Sequence, residues 1–350
     1  MFPESFPATA RLTIHRLPAS RKLRRPRLVP EVLPLESRTL LSINIQFDYS
    51  FDSNHFFDNL ARRAVLQAAA STIASQLDDS LAPIQPEPSG IGTWSETFND
   101  PSTGLLLTIN NPTVLPANTL IIYVGARPMA NTEDALGKGG PGGVGASGDQ
   151  TWVDRVESRG QSGALATPPS DFGPWGGSIA FDDSGTYDWY FGLDTSGLAP
   201  DQVDFFTVAE HEIGHVLGIG TSPSWSRYVS GGSFDGPAAE AAYGGQPVPL
   251  DTVVAPGYPG AHWASGTTSD GQLAIMNAQS TLGDRRYFTT LDFAGLADIG
   301  WNVQALAPAV FQFSQSSRTV PENAGGVIID VIRGGGIGPA TVQYATSDGT

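Results

Sequence analysis

The chain has 350 residues, of which 40% are hydrophobic and 15% charged, and it contains no cysteine. That length and apolar content suffice for one large core or two domains and argue against wholesale disorder. Without cysteine, thiol catalysis, thiolate metal sites and disulfides are excluded, so any metal falls to His, Asp or Glu.

The net charge is −16, unevenly spread: eight of the nineteen Lys and Arg residues lie within positions 1–42 beside three acidic residues, leaving 11 basic against 32 acidic residues beyond. An acidic body of this kind repels phosphate backbones, which argues against a nucleic-acid partner. It suits a calcium-rich exterior, since hard cations take carboxylate oxygens. Acidity of this degree also serves solubility alone. No apolar run reaches the roughly 18 residues of a membrane helix, so no span is expected.

Residues 1–42 join the basic run Arg21-Lys22-Leu23-Arg24-Arg25-Pro26-Arg27 to a proline-broken tail ending in Leu35-Glu36-Ser37-Arg38-Thr39-Leu40-Leu41-Ser42. The apolar core of a secretory signal, about 7–15 residues, is missing. The ending resembles a short leader element that precedes the mature part of many large exported bacterial proteins. That resemblance implies an export segment outside the fold and an extracellular or cell-surface location.

Alternation in Ile43-Asn44-Ile45-Gln46-Phe47 predicts the first strand. A helix follows, capped by Asp58, with Leu66, Ala70, Ile73 and Leu77 on one buried face. Further strands are expected at 119–125, 178–182 and 188–192, where β-branched and aromatic residues lie between turn residues. Between them, Gly137-Lys138-Gly139-Gly140-Pro141-Gly142-Gly143 looks like a phosphate cradle. It lacks the Gly-Lys-Ser/Thr ending and Pro141 breaks the run of backbone donors, so a flexible surface loop is expected.

Residues 201–218 read as a helix capped by Asp201 after Pro200, with an apolar stripe at Phe206, Ile213 and Val216 and a stop at Gly218. On it stands His211-Glu212-Ile213-Gly214-His215. A four-residue step returns to within about 40° of its starting direction, so both imidazoles reach one ion. Glu212 points off that line, where a carboxylate can hold a water without binding the metal. Zinc with three protein ligands lowers the pKa of a water to ~7, within reach of Glu212 as general base. The chemistry this motif predicts is zinc-dependent hydrolysis of a protein or peptide substrate.

The run His-Glu-Ile-Gly-His-Val-Leu-Gly-Ile-Gly resembles the active-site helix of the metzincin clan, matrixins included. In that clan the third ligand usually follows three residues after the glycine at 218, where this chain has Thr221, a poor zinc ligand. The remaining histidines are His15, His55 and His262, and Glu240 is a carboxylate alternative. Phe234-Asp235-Gly236, Ala242-Tyr243-Gly244-Gly245, Val248-Pro249-Leu250, His262-Trp263, Ile275-Met276-Asn277 and residues 291–301 follow the order of leishmanolysin-like metzincins. That resemblance implies His262 as third ligand and Met276 as the Met-turn residue beneath the metal. Gly176–Asp182 resembles the matrixin edge strand that lines the substrate cleft. Ala180 stands where the structural-zinc histidine would be, which implies one zinc. Asp182, Asp183 and Asp188 are candidate calcium ligands, although acidic turn residues are often simply solvated.

From Phe311 the pattern changes to Val320-Pro321-Glu322, Gly325-Gly326-Val327, Val331-Ile332-Arg333 and Val342–Thr350; this resembles the opening of a Calx-beta domain, which implies a partial β-sandwich with Glu322 and Asp348 as calcium candidates. The fold class read from all this is α+β: a metzincin-type domain at 43–305, with a twisted mixed sheet, helices and a loop-rich lower half, then an incomplete sandwich at 306–350. The function expected is an exported zinc metalloendopeptidase. The alternative is a non-catalytic, calcium-binding surface or adhesion protein that keeps the scaffold; retention of Glu212, which zinc binding alone does not need, argues against it.

Overall fold

Ile43, Ile45 and Phe47 alternate with polar residues, and in the structure, a computed structural model, the last two lie in β1 (Asn44–Asp48), which Ile43 immediately precedes. The structure describes residues 43–85, 92–112, 114–131, 133–252, 260–304, 310–313 and 331–334. The described residues from 43 to 304 belong to one unit, and Val310–Phe313 and Val331–Gly334 to another.

After β1 comes α1 (Leu60–Ala74), with Leu66, Ala70 and Ile73 fully buried. Leu77, also buried, lies past the last turn and bridges to Val303. The helix is capped by Asn59, whose side chain accepts from the Ala61 N–H at 2.9 Å, and not by Asp58. The physical reason lies upstream: the Asp52 carboxylate accepts from Phe56 and Phe57 and closes a 3-10 turn over Phe56–Asp58, which delays the helix.

Next in the chain are β2 (Thr93–Asn99), β3 (Leu106–Asn110), β4 (Thr119–Arg127), β5 (Gly137–Pro141), β6 (Gly143–Ser147), α2 (Gln150–Ser158) and β7 (Gly176–Asp182). The main sheet runs β1-β4-β7-β5, with the first three parallel and β5 antiparallel at the edge. The glycine run is therefore an edge strand and not a flexible loop, and Gly176–Asp182 is an interior strand and not the edge. The antiparallel sheet β3-β2-β6 packs against the Tyr123 face of the main sheet, where Phe98 stacks on Tyr123 with centroids 4.3 Å apart.

The other face of the sheet carries Phe181, which meets Phe205 at 4.6 Å and Phe57 at 5.9 Å. All three rings are fully buried, each contributing about 1.5–3 kcal/mol by leaving water. Phe205 opens α3 (Phe205–Val216), and α1 packs beside it. The helix begins three residues later than its sequence suggests, capped by Asp204, whose side chain accepts from the Thr207 N–H at 3.0 Å. Asp201 is not the cap because β9 (Val203–Asp204) first pairs in parallel with β8 (Trp189–Tyr190). Of the strand expected at 188–192, only these two β8 residues form a ladder.

From Leu217 onward, regular structure is short: α4 (Pro223–Ser226), α5 (Pro237–Ala242), two-residue strands, and α6 (Thr290–Asp298). A buried stack of Trp225, Phe234 and Trp263 fills this half, and Asp298 receives the first amides of α5. Val310–Phe313 and Val331–Gly334 pair antiparallel in the other unit. The leader at 1–42 and the candidates Glu322 and Asp348 lie outside the described residues.

Candidate metal centre

Helix α3 places His211 and His215 one turn apart on one face. The His211 Nδ1 lies 2.8 Å from the Ile275 carbonyl and the His215 Nδ1 lies 2.8 Å from the Ile219 carbonyl. A carbonyl only accepts, so both Nδ1 atoms carry the proton and both Nε2 atoms present lone pairs. Those Nε2 atoms are 3.1 Å apart, and the His262 Nε2 is 3.0 Å from that of His215.

Lone pairs facing each other at this distance repel unless a cation lies between them. A tetrahedral zinc with nitrogens at ~2.0–2.1 Å holds them about 3.3 Å apart, close to the two spacings above, and all three ligand atoms lie within 4.8 Å of one another, so the donor set fits zinc. Among the described residues this is the group of three His, Asp or Glu that fits one ion. Burial is the main cause that lowers the imidazoles, His215 to about 4 and His262 to about 3, with His211 well below its ordinary value. All three are thus in the neutral form that binds metal.

The third imidazole arrives through backbone geometry. Gly220, at φ +73°, sits directly against the Ala261 carbonyl, where any Cβ would collide. This close approach presses residues 260–262 onto the loop that follows α3. The Trp263 N–H donates to the Met276 carbonyl at 3.0 Å, and Asp251 N–H to the His262 carbonyl at 2.9 Å, fixing the segment on both sides. Met276 is fully buried against Gly214 of α3.

Beneath lies a residue that the motif search passed over. The Asp292 carboxylate accepts from Ile275 N at 3.0 Å, Met276 N at 3.1 Å, Trp263 Nε1 at 2.8 Å, Thr289 N at 2.8 Å and Thr289 Oγ1 at 2.5 Å. It joins the residue after His262 to the Met276 turn and to the cap of α6. The Thr289-x-x-Asp292 spacing is a capping-box pattern, so its local role was readable even though its tertiary role was not. Glu210 was missed as well: fully buried, it accepts from Thr72 Oγ1 of α1 and from Phe288 N at 2.7 Å. Burial pushes its carboxyl up to about 8.

Glu212 points away from the imidazoles toward β5. A Cβ at Gly137 would lie 2.7 Å from its Oε1, and one at Gly139 would strike its carbonyl. The strand is glycine-rich because it passes directly over this residue. Burial pushes the Glu212 carboxyl up to about 8, opposed by the Gly139 N–H and the charge of Lys138. Its carboxylate thus lies between β5 and the helix that carries His211 and His215.

The other candidates lie elsewhere. Thr221 donates its hydroxyl to the His215 carbonyl at 2.7 Å, and His55 pairs with Asp58 at the surface. Glu240 lies on α5 and is not among the converging groups. Asp182 is committed to the amides of Met129 and Ala130 and to Ser184 Oγ, while Asp188 accepts from Gln202. Among the described residues, Asp182, Asp183 and Asp188 do not come together as one ion-sized group.

The matrixin family model (Peptidase_M10) matches residues 146–227. The match covers β7 and α3, including His211, Glu212 and His215, and ends before His262. Together with the imidazole cluster it supports a metzincin-type zinc peptidase domain. No curated protein matches the chain. No helix among the described residues is long and apolar enough to cross a membrane.

Proposed function

We propose that the chain is an exported zinc metalloendopeptidase of leishmanolysin-like type, with residues 43–305 as its peptidase domain. His211, His215 and His262 are its metal ligands and Glu212 its general base. The observation that carries this reading is the convergence of the His211, His215 and His262 Nε2 atoms, with the Nε2 lone pairs of the first two freed by their Nδ1 contacts, on the helix that also carries the buried Glu212. Bound there, zinc supplies Lewis-acid polarisation of a water and of the scissile carbonyl. Glu212 takes the proton of the attacking water and passes it to the departing amine. The carbonyls of Ile275 and Ile219 hold the two helix imidazoles in the ligating tautomer, as hydrogen-bond acceptors behind zinc-binding histidines do. Strand β5 offers an extended edge along which a peptide backbone pairs. Export rests on the leader resemblance. The Calx-beta tail rests on the sequence pattern beyond residue 306, and calcium on that pattern and the acidic composition.

Zinc content and caseinolysis of the full chain, with and without Glu212→Gln, test the reading. The expected result is one equivalent of zinc in both proteins and a loss of hydrolysis of about 10²–10⁴-fold in the variant. Zinc binding without hydrolysis by the unaltered chain would favour the non-catalytic surface protein. Equal hydrolysis by both would refute the role of Glu212.

A further inference from the structure

The two helix imidazoles are held alike at Nδ1 and differ one peptide group further back. Each Nδ1 lies 2.8 Å from a carbonyl, that of Ile275 for His211 and that of Ile219 for His215. The Ile275 carbonyl shares its peptide group with the Met276 N–H, and that N–H donates to the Asp292 Oδ1 at 3.1 Å. A continuous path therefore runs from carboxylate through amide to imidazole. Behind His215 the corresponding N–H belongs to Gly220, and among the described residues it donates to no carboxylate.

The far end of this path carries charge. Asp292 is fully buried, and burial raises its carboxyl from the ordinary value, opposed by the bonds from Thr289, Ile275 and Trp263. Four of its five donors are N–H groups, which cannot turn round to accept. They address both oxygens, Met276 N and Trp263 Nε1 at Oδ1, Ile275 N and Thr289 N at Oδ2. Protonation would leave one oxygen a poor acceptor facing two fixed donors, so the ionised form satisfies the set.

Amide resonance transmits that charge: an acceptor on the N–H pushes electron density onto the carbonyl oxygen at the other end, and buried hydrogen bonds in a chain polarise one another. The oxygen behind His211 is thus more negative than the one behind His215, at the same separation. A stronger acceptor at Nδ1–H makes Nε2 the stronger base and the better ligand, as carboxylates placed directly behind zinc-binding imidazoles do. Here a peptide group is interposed.

We propose that Asp292 is a positioning residue whose charge, carried through the 275–276 peptide group, orients His211 and strengthens it as a metal ligand. The inference rests on the ligand assignment above. The same Oδ1 receives the indole of Trp263, next to His262, so one carboxylate bears on the ligand supplied by α3 and on the segment that supplies the third.

The experiment reads the two Nδ1 protons by NMR in the zinc-loaded full chain with isotope-labelled histidine, assigned by their proximity to Ile275 and Ile219. The His211 proton is expected downfield of the His215 proton, the two bonds being equal in length. In Asp292→Asn, which keeps the side-chain shape and removes the charge, the His211 proton should move upfield while the His215 proton stays. The zinc Kd should rise about 10–100-fold. A His211 proton level with or upfield of the His215 proton in the unaltered chain overturns the proposal whether or not the variant folds. A folded variant with an unmoved His211 proton, or with an unchanged zinc Kd, overturns it too, since Asp292 then serves the fold alone. If the unaltered chain takes up no zinc, the peptidase reading fails, and the same proton comparison in the metal-free chain decides the path from Asp292 to His211.

Discussion

Two regions supply the three imidazoles by different means. Helix α3 delivers His211 and His215 through its own period, so their relative position is a local property of twelve residues. The half from Leu217 to Gln304 delivers His262 through tertiary contacts: the Gly220 approach, the Trp263–Met276 pairing and the Asp292 hub. A site with one local and one tertiary arm inherits the stability of the weaker arm, which here is the region of short elements.

Asp292→Ala should break this comparison most severely. It leaves two turn amides and the Trp263 indole unpaired in the interior, each costing about 1–3 kcal/mol. Urea unfolding is expected to show a loss of several times about 1 kcal/mol, with zinc affinity falling alongside; unchanged zinc affinity in a folded variant would show that the tertiary arm does not depend on this hub.

Gly220→Ala and Gly139→Ala sharpen the same contrast, because both add a Cβ against backbone but on different arms. At Gly220 the methyl strikes the Ala261 carbonyl from a positive-φ position, so zinc affinity should fall, by about tenfold or more. At Gly139 it strikes the Glu212 carbonyl, so hydrolysis should fall while zinc is kept, with a stability cost of about 1–3 kcal/mol. Isothermal titration with zinc and caseinolysis separate the two outcomes, and a reversed pattern would contradict the assignment of arms.

The smallest effect expected is a pH dependence at the seam between the regions. The Asp79 carboxylate accepts the Asn302 N–H, and burial raises its carboxyl to about 6. A raised folded pKa means this group's contribution is fully present below its unfolded value near 4 and is lost as pH rises through about 6. Asp79→Asn should therefore flatten the fall in denaturation midpoint between pH 4 and about 7 relative to the unaltered chain. Parallel profiles would exclude Asp79 as the titrating group.

What was legible in the sequence follows the same division. The α3 ligand pair and the buried α1 face at Leu66, Ala70 and Ile73 come from periodicity, which a linear chain displays directly. Strand β4 was legible from its β-branched run. The edge strand β5 was not, since its glycines have no strand preference and are explained only by Glu212 lying beneath them. The cap at Asp204 was misplaced because the β8–β9 pairing that delays α3 joins residues well apart in sequence. His262 came from resemblance and elimination; nothing local marks it, and its place depends on a backbone contact with residue 220.

The ladder at residues 76–79 and 302–304 has a mechanical meaning. Gln304 N–H donates to the Gln76 carbonyl, Asp78 N–H to the Asn302 carbonyl, and Leu77 bridges Val303. Tension entering the unit at 41–306 from its downstream side meets this clasp before it reaches α6 or α3. Clasps of a few main-chain bonds at a perimeter are the kind of contact that opens before a packed interior does, so under a downstream pull this one is expected to part before the imidazole cluster changes its spacing.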